Sequence, residues 1–198
     1  DRQTMLFSAT FPEELVSLAK TFLKDPIRID VGPTTQPVAQ IKQQTVHTTQ
    51  QGKNALILKE MTERQGRVLV FARTQSRTHR LARFLWDEGH DVVCLHGGRS
   101  QAQRKEALSK FRKGSHRIMV ATDLAGRRID VTDIEHVINY DMPATREDYI
   151  HRLGRTGRCG KEGRALNLLV AGDMDGERVI SGIKAPSRVV YRTKRWPN

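Results

Sequence analysis

At 198 residues the chain is long enough for one full hydrophobic core and a fragment of another. Lys and Arg number 34 against 22 Asp and Glu, a formal charge of +12, which points to a polyanionic partner such as nucleic acid. No apolar run approaches the roughly 20 residues of a spanning helix, and the basic positions are spread through mixed helix and strand patterning, so no membrane partner is expected. Cys94 and Cys159 are too few and too far apart for a disulfide scaffold or a cysteine metal framework, which fits a reducing interior. The opening Asp1-Arg2-Gln3 has neither an initiator Met nor a signal peptide and suggests a piece of a longer protein.

In chain order, Thr4 to Phe7 is a short apolar run ending at Ser8-Ala9-Thr10. Leu15, Leu18, Ala19, Phe22 and Leu23 fall at i, i+3, i+4, i+7 and i+8, the stripe of an amphipathic helix that starts at Pro12 and closes at Asp25-Pro26. Ile27, Ile29 and Val31 alternate as a strand does. This strand–helix–strand piece is too small to bury its own apolar faces, so residues 1–31 are expected to be the tail end of a preceding domain. Residues 32–37 carry two prolines and a glycine and read as a linker.

From residue 38 to about 175 strands and helices alternate, which predicts an α/β fold with a mainly parallel sheet covered on both faces. The expected strands are Ile41 to Val46, Val68 to Phe71, Val92 to Leu95, Ile118 to Ala121, Val137-Ile138 and Leu166 to Val170. The expected helices run from Lys53 to Glu63, Gln75 to Glu88, Ser100 to Arg112 and Arg146 to Leu153, with Gly89 and Gly114 as stops and Ser100 as an N-cap. Cys94 reads as a strand hydrophobe and Trp86 as core. The Arg77, Arg80, Arg83 row reads as a solvated face. Beyond Val170, Ala185-Pro186 breaks the helical pattern of Val179, Ile180 and Ile183, and residues 176–198 are taken as a basic tail.

The most pointed stretch is His151 to Arg158, in which Arg152, Arg155 and Arg158 recur at three-residue spacing with Gly154 and Gly157 between them. Arginine offers a permanently charged fork to phosphate oxygens, and glycine lets a backbone approach a ligand. A plain basic loop on a basic protein is the alternative. Ligands of open α/β sheets bind at the carboxyl ends of the strands. There Phe71 leads to Arg73-Thr74, Leu95 to His96-Gly97-Gly98-Arg99, Ala121 to Thr122-Asp123, and Asn139 through a helix to the arginine stretch, a row suited to a nucleic-acid backbone.

Taken together, Ser8-Ala9-Thr10, Val70-Phe71 with Thr74, Leu95-His96-Gly97 with Gln101 and Arg104, Ala121-Thr122-Asp123 through Asp130, and His151 through Arg158 resemble, in order and spacing, the DEAD-box RNA helicases of superfamily 2. The resemblance implies that residues 38–175 form a second RecA-like domain and residues 1–31 the end of the first. It implies ATP with Mg²⁺ as cofactor, the metal held by the missing first domain and none by this chain. Arg155 and Arg158 would be arginine fingers, His151 a coupling residue touching the segment with Ser8 and Thr10, and Asp130 a ribose ligand. Thr74, Gly97, Arg99, Thr122 and Arg127 match positions that contact RNA. The implied partners are single-stranded RNA or a short duplex, the first domain, and protein regulators. The setting is intracellular, nucleus or cytoplasm, with the nucleus favoured by the Ala125-Gly126 pair and the Leu95 to Gly98 loop, which are similar to splicing-associated members.

One departure stands out. The family carries glycine after the arginine of the segment ending in Asp130, and this chain has Arg128. At positive φ its Cβ would cost about 1 kcal/mol or more and could displace Asp130. That substitution, with the absence of a GKT-type phosphate loop and of the Asp-Glu-Ala-Asp sequence, keeps a second class open: a non-hydrolysing RNA- or protein-binding module.

Overall fold

A computed structural model describes residues 4–8, 13–29, 41–126, 129–131, 133–158 and 161–181. Its centre is a six-stranded, all-parallel sheet in the order β1-β6-β5-β2-β4-β3. The strands are β1 (Ile41–Thr48), β2 (Arg67–Phe71), β3 (Val92–Leu95), β4 (Ile118–Ala121), β5 (Ile134–Asn139) and β6 (Gly163–Val170). The helices are α1 (Glu13–Phe22), α2 (Gly52–Glu63), α3 (Gln75–Asp87), α4 (Gln101–Lys113), α5 (Asp123–Gly126), α6 (Arg146–Leu153) and α7 (Met174–Ser181).

Successive strand residues point to opposite faces, and the core divides accordingly. Val68 and Val70, Val92 and Cys94, and Ile118 and Val120 join Ile57 and Met61 of α2 and Leu81 and Leu85 of α3 in one layer. Their alternates Leu69 and Phe71, Val93 and Leu95, and Met119 and Ala121 pack with Ala107 and Phe111 of α4 in the other. The continuous apolar runs are therefore central strands covered on both sides. On that second side, Ala165 and Leu169 of β6 meet Tyr149 and Leu153 of α6 and Val179 of α7.

Local signals set the helix ends. Ser100 and Gln103 form a reciprocal capping box at the start of α4, and Gly114 closes it at φ +79°. Thr74 caps α3 by accepting the Arg77 N–H at 3.2 Å.

Several expectations need correction. Among the described residues, Thr4 to Phe7 and Ile27 to Ile29 form no strand and no neighbouring strand supplies a ladder; Phe7, Ile27 and Ile29 are 84%, 89% and 80% exposed. Trp86 is 55% exposed, because the buried stripe of α3 runs through Thr78, Leu81, Ala82 and Leu85. The boundary drawn at residue 176 falls inside α7, whose Val179 is buried against the sheet. Residues 32–37, Thr10, Arg127, Arg128, Cys159 and Trp196 lie outside the described residues.

Candidate nucleotide and nucleic-acid interface

Because every strand is parallel, the turns after β2, β3 and β4 share one edge of the sheet. They carry Thr74, Gly97 with Arg99, and Thr122. Backbone hydrogen bonds lace these turns together: Ala72 N–H donates to the Ala121 carbonyl at 3.0 Å and Thr122 N–H to the Leu95 carbonyl at 3.2 Å. Thr74 and Gly97 are exposed, while Arg99 and Thr122 are half-buried. The Arg99 guanidinium turns back onto the Cys94 sulfur, Nη2 to Sγ 2.8 Å. Beside it, burial and the positive charge of Arg99, with His79 nearby, hold the His96 imidazole below its ordinary pKa.

A buried ionic knot fixes the first of these turns. Asp141 accepts the Arg73 N–H at 3.0 Å and two bonds from the Arg77 fork, at 2.8 and 2.7 Å. Lys53 approaches the same carboxylate at 3.4 Å and donates to the Tyr140 carbonyl at 2.5 Å. Burial lowers the Lys53 pKa, and the Asp141 charge opposes that shift. Arg77 is thus not part of a solvated face, although Arg80 and Arg83 of the same row are exposed. Sequence reasoning missed Lys53 and Asp141. The available signal was helical: Lys53 occupies the stripe that continues through the buried Ile57 and Met61.

The arginine stretch crosses the sheet, and its far end, at Thr156, lies at the opposite edge. α6 starts near the carboxyl ends of the strands and returns toward the start of β5, where Thr156 bridges to Ile134. The Thr156 hydroxyl donates toward the carbonyls of Ile134 and Glu135, at 2.6 and 2.9 Å. The expectation of one continuous row from Thr74 to Arg158 is therefore corrected to two edges, because a helix antiparallel to the strands carries the chain across the sheet.

The three arginines also divide. Arg152 is 2% exposed and grips Asp123 with both arms of its fork, at 2.5 and 2.8 Å. It further donates to Asn139 Oδ1 at 2.8 Å and to the Asp141 carbonyl at 2.6 Å, and lies 4.8 Å from the Phe71 ring centroid. Arg152 is an internal strut linking the turn after β4 to α6. Arg155 and Arg158 are half-buried and bound to backbone: Arg155 Nε to the His151 carbonyl at 3.2 Å and Nη1 to the Ile129 carbonyl at 3.0 Å, Arg158 Nε to the Gly154 carbonyl at 2.6 Å. The Arg155 contact brings its guanidinium to the residue preceding Asp130, whose side chain is exposed. Arg158 borders a cleft of about 470 Å³ that Arg117, Lys161, Asp133 and Glu135 also line. His151 is half-buried on α6, and Ser8 is exposed.

Two glycines near the arginine stretch have a packing role in the fold. Gly157 adopts φ +67°, and a Cβ there would meet the Ile41 side chain at 3.0 Å. Gly163 lies so close that its Cβ would come within 2.6 Å of the Gly157 nitrogen.

Residues 52–160 match the family described as the helicase conserved C-terminal domain. The chain is 40% identical over 187 residues to the ATP-dependent RNA helicase DBP2 of Lodderomyces elongisporus, covering 92% of this chain and 33% of that protein. It thus spans about a third of the length of that curated relative. Among solved structures, S. cerevisiae Dbp5 bound to RNA and ADP BeF3 superposes with a TM-score of 0.79 at 27% identity, over 93% of this chain and 50% of that one. The E. coli DEAD-box protein SrmB bound to the regulator of ribonuclease activity A (RraA) gives 0.72 at 33% identity, over 80% and 98%. With its all-parallel RecA-like sheet and the matching segment spanning more than half its residues, the chain belongs to the DEAD-box RNA helicases and consists mostly of their helicase C-terminal domain.

Proposed function

We propose that this chain is the C-terminal half of an ATP-dependent RNA helicase, a unit that grips an RNA backbone on one sheet edge and completes an ATP pocket on the other. Thr74, Gly97, Arg99, Thr122 and Arg127 bind RNA, whose 2′-hydroxyls distinguish it from DNA. Arg155 and Arg158 act as fingers toward an ATP held mainly by a first RecA-like domain, which also holds its Mg²⁺. Asp130 holds the ribose. His151 couples the nucleotide to the segment bearing Ser8 and Thr10. Residues 1–31 belong to that first domain, 32–37 are the linker, and the second domain starts at 38.

The observation that carries this reading is the Arg155 to Ile129 contact, which ties the arginine turn to the segment holding Asp130. Permanently charged groups there suit the charge that develops during phosphoryl transfer, where arginine fingers contribute about 10³ to 10⁵ in rate in other NTPases. RNA and ADP BeF3 accompany Dbp5, and the regulator of ribonuclease activity A accompanies SrmB, which supports RNA, nucleotide and protein partners here. Among the described residues no helix is long and apolar enough to cross a membrane; an intracellular site of action is part of the proposal.

Two measurements test it. In fluorescence anisotropy with a single-stranded RNA oligomer, Arg99→Ala should weaken binding and reduce the salt slope by about 1; unchanged affinity and slope would remove Arg99 from the interface. The 198-residue chain should release no phosphate from ATP above an Arg155→Ala/Arg158→Ala variant, because the groups for the metal and β-phosphate lie in the first domain. RNA-stimulated release above that background refutes the division of labour.

Arg128 favours a second reading, a degenerate module that binds without hydrolysis. Assaying a two-domain protein containing Arg128 beside its Arg128→Gly variant separates the two. Hydrolysis only after the change supports the degenerate module, and equal activity dismisses it.

A further inference from the structure

We propose that His79, Cys94 and His96 form a binding site for a thiophilic divalent cation, Zn²⁺ above all, at the root of the turn after β3. The three side chains come from α3, the end of β3 and the first residue of the turn, and their ligand atoms all lie within 4.8 Å of one another. Cys94 is buried, and His96 Nε2 is buried without a hydrogen-bond partner. A buried polar atom in that condition carries a desolvation cost that a bound cation would remove. Two imidazoles and one thiolate are a donor set suited to zinc, and a solvent molecule would complete the tetrahedron.

The geometry needs only local adjustment. Zinc bonds of about 2.0 to 2.3 Å give tetrahedral edges of roughly 3.5 Å, so ligand atoms within 4.8 Å of one another must close by about 1.3 Å at most. His79 is exposed on α3 and free to turn toward the sulfur. His96 Nδ1 now accepts the Gly98 N–H at 3.2 Å. Coordination through Nε2 moves the imidazole proton to Nδ1, and the exposed Gly98 N–H passes to water. Cys94 releases its thiol proton to solvent as the sulfur–metal bond forms, with no change in oxidation state.

Arg99 is the competitor. Its Nη2 sits 2.8 Å from Cys94 Sγ, on the atom the metal requires, and its charge repels a cation. Metal binding therefore expels the guanidinium from the sulfur. Mg²⁺, a hard cation that prefers oxygen ligands, should not take the site.

The test is Co²⁺ titration of the reduced, chelator-stripped 198-residue chain, followed by near-ultraviolet sulfur-to-cobalt charge-transfer absorption and displacement with Zn²⁺. A stoichiometric band is expected that Zn²⁺ abolishes and excess Mg²⁺ does not. Cys159→Ser should keep the band and Cys94→Ser should lose it. His79→Ala, at an exposed position that leaves the core intact, should weaken binding about tenfold or more. Arg99→Gln should tighten it. No band in the parent chain, a band surviving Cys94→Ser, or unchanged affinity in His79→Ala overturns the site. None of these readouts involves RNA or ATP, so the result stands apart from the helicase reading.

Discussion

Arg152 looks, by spacing alone, like the first of three equivalent phosphate ligands, yet it is the one whose charge is consumed inside the protein. Its fork is matched to Asp123, and the remaining donors reach Asn139 and the Asp141 carbonyl. Removing the cation strands a carboxylate and two buried acceptors, the situation in which a broken buried pair costs most. Arg152→Met should destabilise the chain by about 3 kcal/mol or more in urea unfolding. Arg152→Lys should recover little, because a point charge cannot bridge both Asp123 oxygens. A loss under about 1 kcal/mol for Arg152→Met would mean the network is satisfied by water.

At the scale of elements, α4 owes its boundaries to its own residues. Ser100→Ala removes the side-chain half of the capping box, the hydroxyl that accepts the Gln103 N–H, and should cost about 1 kcal/mol, read as a melting temperature lower by roughly 3 °C. An unchanged melting point would show that the start of α4 is held by packing alone. This helix was legible in advance for the same reason: Ser100 and Gly114 signal its ends locally, and no distant partner is needed. The apolar runs of β2, β3 and β4 were equally plain. α5 was missed because four residues, Asp123 to Gly126, carry no helical period. A strand at Thr4 to Phe7 was expected from an apolar run and one through Ile27, Ile29 and Val31 from alternation, patterns that predict burial but cannot supply the neighbour a ladder requires. The turn residues Thr74, Gly97, Arg99 and Thr122 were found by position after each strand. The Lys53, Asp141 and Arg152 struts were not, since their partners are 88, 64 and 29 residues away in the chain.

The molecule as a whole carries an acid-sensitive point in its core. His136 on β5 is buried, and its pKa is pushed down to about 3 by burial first, then by the positive charges of Arg64 and Arg164. Glu60 lies 3.5 Å from its Nδ1, but that carboxylate is engaged by Arg64 at 2.7 Å, so the imidazole stays neutral. The unfolded chain takes up this proton near pH 6.5 and the folded chain only near 3. His136 thus costs nothing above about pH 7, and stability falls by about 1.4 kcal/mol per pH unit as pH drops through that window. Urea unfolding of His136→Gln should show a shallower loss between pH 6 and about 4; parallel curves for the two proteins would assign the acid sensitivity elsewhere.

The strand order has a kinetic corollary. Among the described strands β1 hydrogen-bonds only to β6, so the first strand of the sheet waits for the last one. During synthesis the four inner and distal strands can assemble around β2 as soon as β5 emerges, while Ile41 to Thr48 stays an unmatched edge until Gly163 to Val170 arrives. Closure by such a long loop is slow. The interval between the two events is when a chaperone, or a neighbouring nascent chain, has an open template to capture.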